Sequence, residues 1–416
     1  MPQGKVFDLG RQGDGLLKHD GRTFFIAGAL PGETVEYELD TGGRAKLAGV
    51  SGASADRAEP VCPFFGDCGG CALQHLKPDA YRRFKMRYLK ELFPADWELP
   101  EFDDPVFVDF ESRRRVTFAV LWNGSARRLG FNARQSGRIV EIAACAVLIP
   151  ELKRLIAPLR EYFCDRGRFY PKKPGIGDVC VQMTDTGADI LITLPFAPDF
   201  DWRQSAADFA RKNGVARISW RVGERIEPEP LAVLHAPEIK LGDFTLKPPP
   251  GVFLQPSAEG QNALIAAVVE YAGKARRIYD LFCGAGTFTL PLLQKKRIIK
   301  GADNAPQALA ALRVASAGRV EVQERDLFKT PLYPDELAGF DTVVFDPPRA
   351  GAKAQCEQIA ASDVSRVIAV SCNPVSFVRD AEILMKAGFG LKRLRPVDQF
   401  VFTPHLELAA LFEKLR

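Results

Sequence analysis

From Arg277 onward the chain alternates short apolar runs with helical segments, and this alternation constrains the fold more than any other feature. Residues 278–282, 340–345 and 367–371 read as buried strands, and residues 305–315 read as a helix. A parallel strand pair needs a crossover long enough for a helix, so the pattern predicts a doubly wound α/β sheet. Ligands bind such sheets outside the carboxyl ends of the strands. The polar motifs of this half of the chain fall there.

The rest of the chain reads differently. Residues 1–55 hold short alternating runs such as Thr34-Val35-Glu36-Tyr37-Glu38-Leu39, punctuated by glycine and proline, and predict a small barrel of the OB type. Residues 79–93 have helical spacing with a basic outer face, and the helix is expected to pack on the catalytic domain. Residues 105–245 read as a mixed α+β region without a catalytic signature. The expected parts are thus 1–55, 56–248 and 249–416.

Composition narrows the class of function. Hydrophobic residues make up 46% and charged residues 26%, an ordinary globular balance. No apolar run approaches the roughly 20 residues that span a bilayer, and the start of the chain lacks a signal-like stretch, so a cytoplasmic protein is expected. A net charge of +4 permits an RNA partner without demanding one. Its distribution is more telling, with clusters at Arg82, Arg83, Lys85 and Arg87, at Arg113, Arg114 and Arg115, and at Lys295, Lys296, Arg297 and Lys300. Such clusters can track phosphates or simply form solvated faces.

The cofactor motif is Asp280-Leu281-Phe282-Cys283-Gly284-Ala285-Gly286-Thr287-Phe288, a glycine turn between a strand and a helix. Glycines let the backbone approach a ligand closely. A dinucleotide fingerprint would place a third glycine where Thr289 stands, which disfavours a nicotinamide enzyme. Asp303 ends the second strand, where a carboxylate can accept hydrogen bonds from ribose hydroxyls, and Asp326 follows the third, where it can face an adenine. Glycine loop, acid, acid in this order resembles class I S-adenosylmethionine methyltransferases.

Three further motifs select the chemistry. Asp346-Pro347-Pro348-Arg349 ends the fourth strand with no aromatic after the prolines, which disfavours methylation of an exocyclic amine. It also lacks the Pro-Cys of one cytosine-C5 route. Cys372, in Ser371-Cys372-Asn373-Pro374, emerges at the end of the fifth strand. A lone free cysteine is most often an inert core residue, but this one shares its rim with a cofactor loop. Glu407 lies among apolar neighbours, where desolvation raises a carboxyl's proton affinity and suits it to act as a base. Uracil C5 is too weak a nucleophile to take a methyl group unaided. A thiolate adding at C6 makes C5 reactive, and a base must then remove the C5 proton. Cys372 is assigned the addition and Glu407 the proton removal.

With these motifs in place, the chain resembles the RNA uracil-C5 methyltransferase family over nearly its whole length. The resemblance implies a Rossmann-like class I methyltransferase domain, preceded by a TRAM barrel and a central α+β domain. Gly13-Asp14-Gly15 and Leu30-Pro31-Gly32-Glu33 match the barrel's turns. It implies cofactor contacts for S-adenosylmethionine from Gln255, Phe282, Gly284, Gly286, Thr287, Asp303, Asp326 and Asp346. Thr287 and Asp303 stand where relatives often have Asn and Glu, and Ser257, where Asn is usual, is given no role.

The segment Cys62-Pro63-Phe64-Phe65-Gly66-Asp67-Cys68-Gly69-Gly70-Cys71 matches the family's cysteine motif. With the distant Cys145 it makes a four-thiolate set whose spacing suits zinc or iron–sulfur equally. Only the resemblance favours a [4Fe-4S] cluster. Barrel and cysteines together are more similar to the branch acting on 23S ribosomal RNA, so a single-stranded loop of that RNA, bound by a monomer, is the expected partner. Transfer RNA, a cytosine target and an RNA-binding assembly protein with a vestigial fold are the alternatives.

Overall fold

The computed structural model describes residues 1–39, 45–165, 169–293 and 296–415, so Lys295 of the third basic cluster lies outside the described residues. Among them, strands form sheets of five, seven and eight members and a two-stranded ribbon.

The first sheet holds β1 (Gln3–Leu9), β2 (Gly15–His19), β3 (Arg22–Ile26), β4 (Thr34–Leu39) and β5 (Ala45–Ser51), in the order β3-β2-β1-β4-β5. Alternation puts Val6, Leu17, Ile26, Val35 and Tyr37 on one face, and the sheet curls around them until β3 and β5 meet. The result is barrel-like. Gly15 is required inside it, because a Cβ there would stand 2.8 Å from the Ala29 side chain and carbonyl.

Helix α1 (Pro78–Leu92) corrects the sequence reading of its outer face. Lys85 is fully buried, its Nζ 2.8 Å from Asp398 Oδ1, and Tyr81 donates to the other oxygen of the same carboxylate. Periodicity could not foresee a partner that lies 313 residues away. Arg83 and Arg87, by contrast, are exposed and paired with Asp56 and Asp8.

Strand β6 (Val106–Phe107) leads into the central sheet. That sheet comprises β7 (Arg115–Asn123), β8 (Ala126–Asn132), β9 (Ile139–Glu141), β10 (Gly175–Thr184), β11 (Gly187–Leu194), β12 (Val215–Val222) and β13 (Glu229–Val233). Helices α2 (Pro150–Cys164) and α3 (Phe200–Asn213) cover it, with Trp122, Trp202, Trp220 and Phe163 buried between the layers. The ribbon of β14 (Ile239–Leu241) and β15 (Phe244–Leu246) follows.

The last sheet runs through α4 (Ala258–Ala272), β16 (Arg277–Leu281), α5 (Thr289–Leu292), β17 (Ile298–Asp303), α6 (Pro306–Ala315) and β18 (Glu321–Glu324). It continues through β19 (Thr342–Phe345), α7 (Lys353–Ala360), β20 (Arg366–Ser371), α8 (Pro374–Lys386), β21 (Phe389–Asp398) and β22 (Glu407–Lys414). Its order is β18-β17-β16-β19-β20-β22-β21-β6. Strands β16 to β20 are mutually parallel, as expected, but β22 is antiparallel to both β20 and β21. The reversal brings the start of β22 to the rim where the parallel strands end. Two earlier pieces build onto this sheet: β6 pairs with β21, and Leu89 and Phe93 join the core beneath α8.

Two arginines of the basic clusters also face inward. Arg297 donates to the carbonyls of Ala275, Leu292 and Gly273, and Arg114 to the Gln255 carbonyl and the Gln261 side chain. Both are too buried to track a phosphate.

Candidate active site

At the end of β16 the backbone turns sharply. Phe282 is left-handed at φ 57°, and Gly284 and Gly286 follow at 52° and 95°. A side chain at Gly286 would stand 2.5 Å from Leu312 on α6. Asp303 holds this turn: its two oxygens accept from the backbone N–H of Gly284 and Ala305, both at 2.9 Å. Phe282 lies 5.4 Å from the half-exposed Phe328 ring, which makes an apolar edge beside Asp326. Asp326 itself accepts from Phe328 N and pairs with Lys329, whose hydrogen bond holds its carboxyl below the usual range. Thr287 is half-buried beside the turn.

Asp280, inside β16, was not singled out by the sequence reading. It is buried and accepts from the Thr289 hydroxyl with one oxygen, while the other has no partner among the described residues. Burial first, then Asp346 and Asp303, pushes its pKa up to about 7. A buried acceptor without a donor beneath a glycine cradle suits a ligand carrying N–H or cationic groups.

The polar motifs of β19, β20 and β22 meet on the same rim. Cys372 follows β20 and is half-buried. Burial, then Glu407 and Asp346, pushes its thiol up to about 12, while Arg349 pulls it down. Glu407 opens β22 at 2% exposure, so it is neither at an edge nor in water. Burial and Asp346 raise its proton affinity, and hydrogen bonding from Gln399 and the charge of Arg349 oppose them. Asp346 is raised by burial as well. Asn373 caps α8, and its amide donates to the Arg349 carbonyl at 2.9 Å, tying the β19 and β20 loops together. The Arg349 guanidinium meets His405 Nε2 at 2.8 Å; burial and nearby cations keep that imidazole neutral, with its pKa down to about 4, so it accepts.

Gln255 reaches this rim from before α4. It is buried, and its side-chain oxygen accepts from Gln399 Nε2 at 2.6 Å. Ser257, which carried no expectation, caps α4 by accepting from Gly260 N at 3.0 Å. That is a structural task, legible as a serine directly before a helical run.

The four cysteines of the other set line one cavity of about 730 Å³, together with Arg113, Phe131 and Asn132. Gly69 is packed so closely that a Cβ would stand 2.9 Å from the Asn132 carbonyl. Burial, opposed by a hydrogen bond from Gln74 and reinforced by the neighbouring thiols, pushes Cys71 up to about 12. Burial raises Cys68 and Cys145 too. Among the described residues, no three His, Cys, Asp or Glu side chains are grouped closely enough to hold a metal, so the expected cluster finds no support in the side-chain arrangement. The N–H groups of Ala72 and Leu73, next to Cys71, both donate to the Phe402 carbonyl, at 2.8 and 3.0 Å.

The chain is similar to several known proteins. Residues 335–415, which carry Asp346, Cys372 and Glu407, match the family model described as tRNA (Uracil-5-)-methyltransferase. An uncharacterised RNA methyltransferase of Brucella suis is 36% identical, over 99% of this chain and 97% of its own. The 23S rRNA (uracil(1939)-C(5))-methyltransferase of Aeromonas hydrophila is 34% identical, over 96% of this chain and 93% of its own. In fold, the chain is similar to the tRNA (uracil-54, C5)-methyltransferase of Pyrococcus abyssi, solved with S-adenosyl-L-homocysteine. The TM-score is 0.77 at 22% identity, over 99% of both chains. With relatives matched from end to end at such identities, the chain belongs to the S-adenosylmethionine-dependent RNA uracil-C5 methyltransferase family.

Proposed function

We propose that this enzyme methylates C5 of a uracil in a single-stranded loop of 23S ribosomal RNA, with Cys372 as nucleophile and Glu407 as proton acceptor. The observation that carries the reading is the meeting of Cys372, Asp346 and Glu407 on one rim, close enough for each carboxylate to shift the thiol. S-adenosylmethionine, when bound, supplies an electrophilic methyl group. Gln255, Phe282, Gly284, Gly286, Thr287, Asp303, Asp326 and Asp346 are the residues assigned to hold it. The glycine turn and the unpartnered oxygen of Asp280 are features that fit such a ligand.

Cys372 gives its proton to Asp346 and adds to C6 of the uracil. The electrons of the C5–C6 double bond move to the ring's C4 oxygen; returning through C5, they form the bond to the methyl group as its bond to the sulfonium sulfur breaks. Glu407 removes the C5 proton, and the returning electrons expel the Cys372 thiolate. Desolvation suits both carboxyls to accept protons near neutral pH. The target base must leave its stack to reach the thiol, and a loop minimises that cost.

The three parts of the chain, 1–55, 56–248 and 249–416, are read as a TRAM-type barrel, a cysteine-bearing RNA-binding region and the methyltransferase domain. Phe7 and Phe25 stand exposed on the barrel, with Lys18 over the Phe7 ring, a surface on which bases can stack. Cys62, Cys68, Cys71 and Cys145 are the residues that would hold a [4Fe-4S] cluster. Four half-buried thiols lining one cavity of about 730 Å³ are the observation that supports a shared centre. Its role there is to tie Cys145 to the distant Cys71 segment.

Methyl transfer from labelled S-adenosylmethionine to unmodified ribosomal RNA, against transfer RNA as competitor, tests the substrate. Preferential labelling of transfer RNA would favour the substrate named by the matching family model.

A further inference from the structure

Gln399 has no role in the chemistry above, yet it is the side chain through which Gln255 and Glu407 communicate. It follows Asp398 at the end of β21 and is 2% exposed. Its amide nitrogen stands 2.6 Å from Gln255 Oε1 and 3.3 Å from Glu407 Oε1. Glu407 presents a carboxylate oxygen and Gln255 its amide oxygen, and the two hydrogens of the Gln399 nitrogen face them. The other oxygen of Glu407 is buried with no partner among the described residues.

The fold holds this amide from two sides. On one side, Gly260 in the first turn of α4 leaves it room: a Cβ there would stand 2.6 Å from Gln399 Cβ and 2.7 Å from its Oε1. On the other side, Asp398 is pinned by buried Lys85 and Tyr81 of α1. Gln255 is fixed in turn through its backbone carbonyl, which accepts from Arg114 Nε at 3.1 Å.

We propose that Gln399 is a positioning residue that occupies Glu407 Oε1 with one amide hydrogen and Gln255 with the other, leaving Glu407 Oε2 as the single oxygen presented to the C5 proton. The inference rests on the reading of Glu407 as proton acceptor. A carboxamide suits the task because it does not titrate, so the clamp holds at every pH at which the enzyme works. Its hydrogen bond also favours the ionised carboxylate against the burial that opposes it.

The test uses the whole chain with S-adenosylmethionine and unmodified ribosomal RNA tritiated at uracil C5. Gln399→Met keeps the length and removes both donors. Tritium release is expected to fall about tenfold, with covalent RNA–protein adduct accumulating. The rise of rate with pH should move about one pH unit to the alkaline side. An unmoved profile overturns the clamp whether the variant is fast or slow, because a merely structural loss lowers the rate alike at every pH. Should Gln399→Met fail to fold, Gln399→Glu keeps the shape and adds a carboxyl. Its profile should move further alkaline, and an unmoved one overturns the clamp. Glu407→Gln separates the two readings. Wild-type turnover there removes the proton acceptor and the clamp with it, whereas trapped adduct there beside an unmoved Gln399→Met profile removes the clamp alone.

Discussion

Cys71 and Cys372 occupy two regions that burden a thiol equally and relieve it in opposite ways. Burial pushes each up to about 12. Around Cys71 the further neighbours that raise it are thiols, Cys145, Cys68 and Cys62, and they compete for the same scarce charge. Only a cation can stabilise several thiolates there at once. Around Cys372 the neighbours that raise it are Glu407 and Asp346, whose own proton affinities are raised. There a moving proton relieves the thiol. One environment suits holding a permanent centre, the other a bond made and broken in every cycle.

The largest expected effect separates the two regions outright. Cys372→Ala should lower methyl transfer by about a thousandfold or more while leaving bound iron unchanged, measured by labelled transfer and metal analysis on the same sample. Undiminished transfer would sink the covalent mechanism. Cys71→Ser should do the reverse in kind, losing iron and the broad absorbance at about 400 nm expected of iron–thiolate centres in anaerobically purified protein. A cross-link closing a loop this long is worth about 4 kcal/mol of chain entropy, so denaturant titration should show a loss of that order. Colourless wild-type protein carrying one zinc would remove the cluster.

Smaller effects sharpen the electrostatic side of the contrast. Glu407 must be ionised to accept a proton, and its pKa is pushed up to about 8. The ionised fraction therefore grows with rising pH, and turnover should climb about tenfold per pH unit below that value. A rate that falls over this range would contradict Glu407 as base. The smallest effect is on alkylation of Cys372 without RNA. Removing a raising neighbour with Glu407→Gln should speed it a few-fold, about half a pK unit. Removing the lowering charge with Arg349→Met should slow it by as much, while the reactivity of Cys71 is unchanged in both.

The strand-end motifs were legible because apolar runs and glycine turns are local signals. Asp346 and Cys372 sit where the sequence put them, at the ends of parallel strands, whereas Glu407 reaches the same rim because β22 runs antiparallel, which the sequence did not announce. What stayed illegible depends on distant partners. Lys85 reads as an outward cation until Asp398 neutralises it from across the chain, and Arg114 and Arg297 read as phosphate ligands until their carbonyl partners are seen. Gln399 carries no local signal at all, since an amide's meaning lies in the two oxygens it meets.

Phe402 gives the loop between β21 and β22 a timetable. Its left-handed backbone, φ 61°, aims its carbonyl at the N–H groups of Ala72 and Leu73, and the neighbouring Asp398 and His405 carbonyl are held by Tyr81 and Lys85, over 300 residues earlier. During synthesis the early segment must wait, with a buried-to-be lysine still hydrated, for a loop made near the end of translation. Contacts of such sequence separation form slowly. The rim is therefore completed late, and a nascent chain released before β22 would carry the cofactor turn and Cys372 without the carboxylate that finishes the reaction.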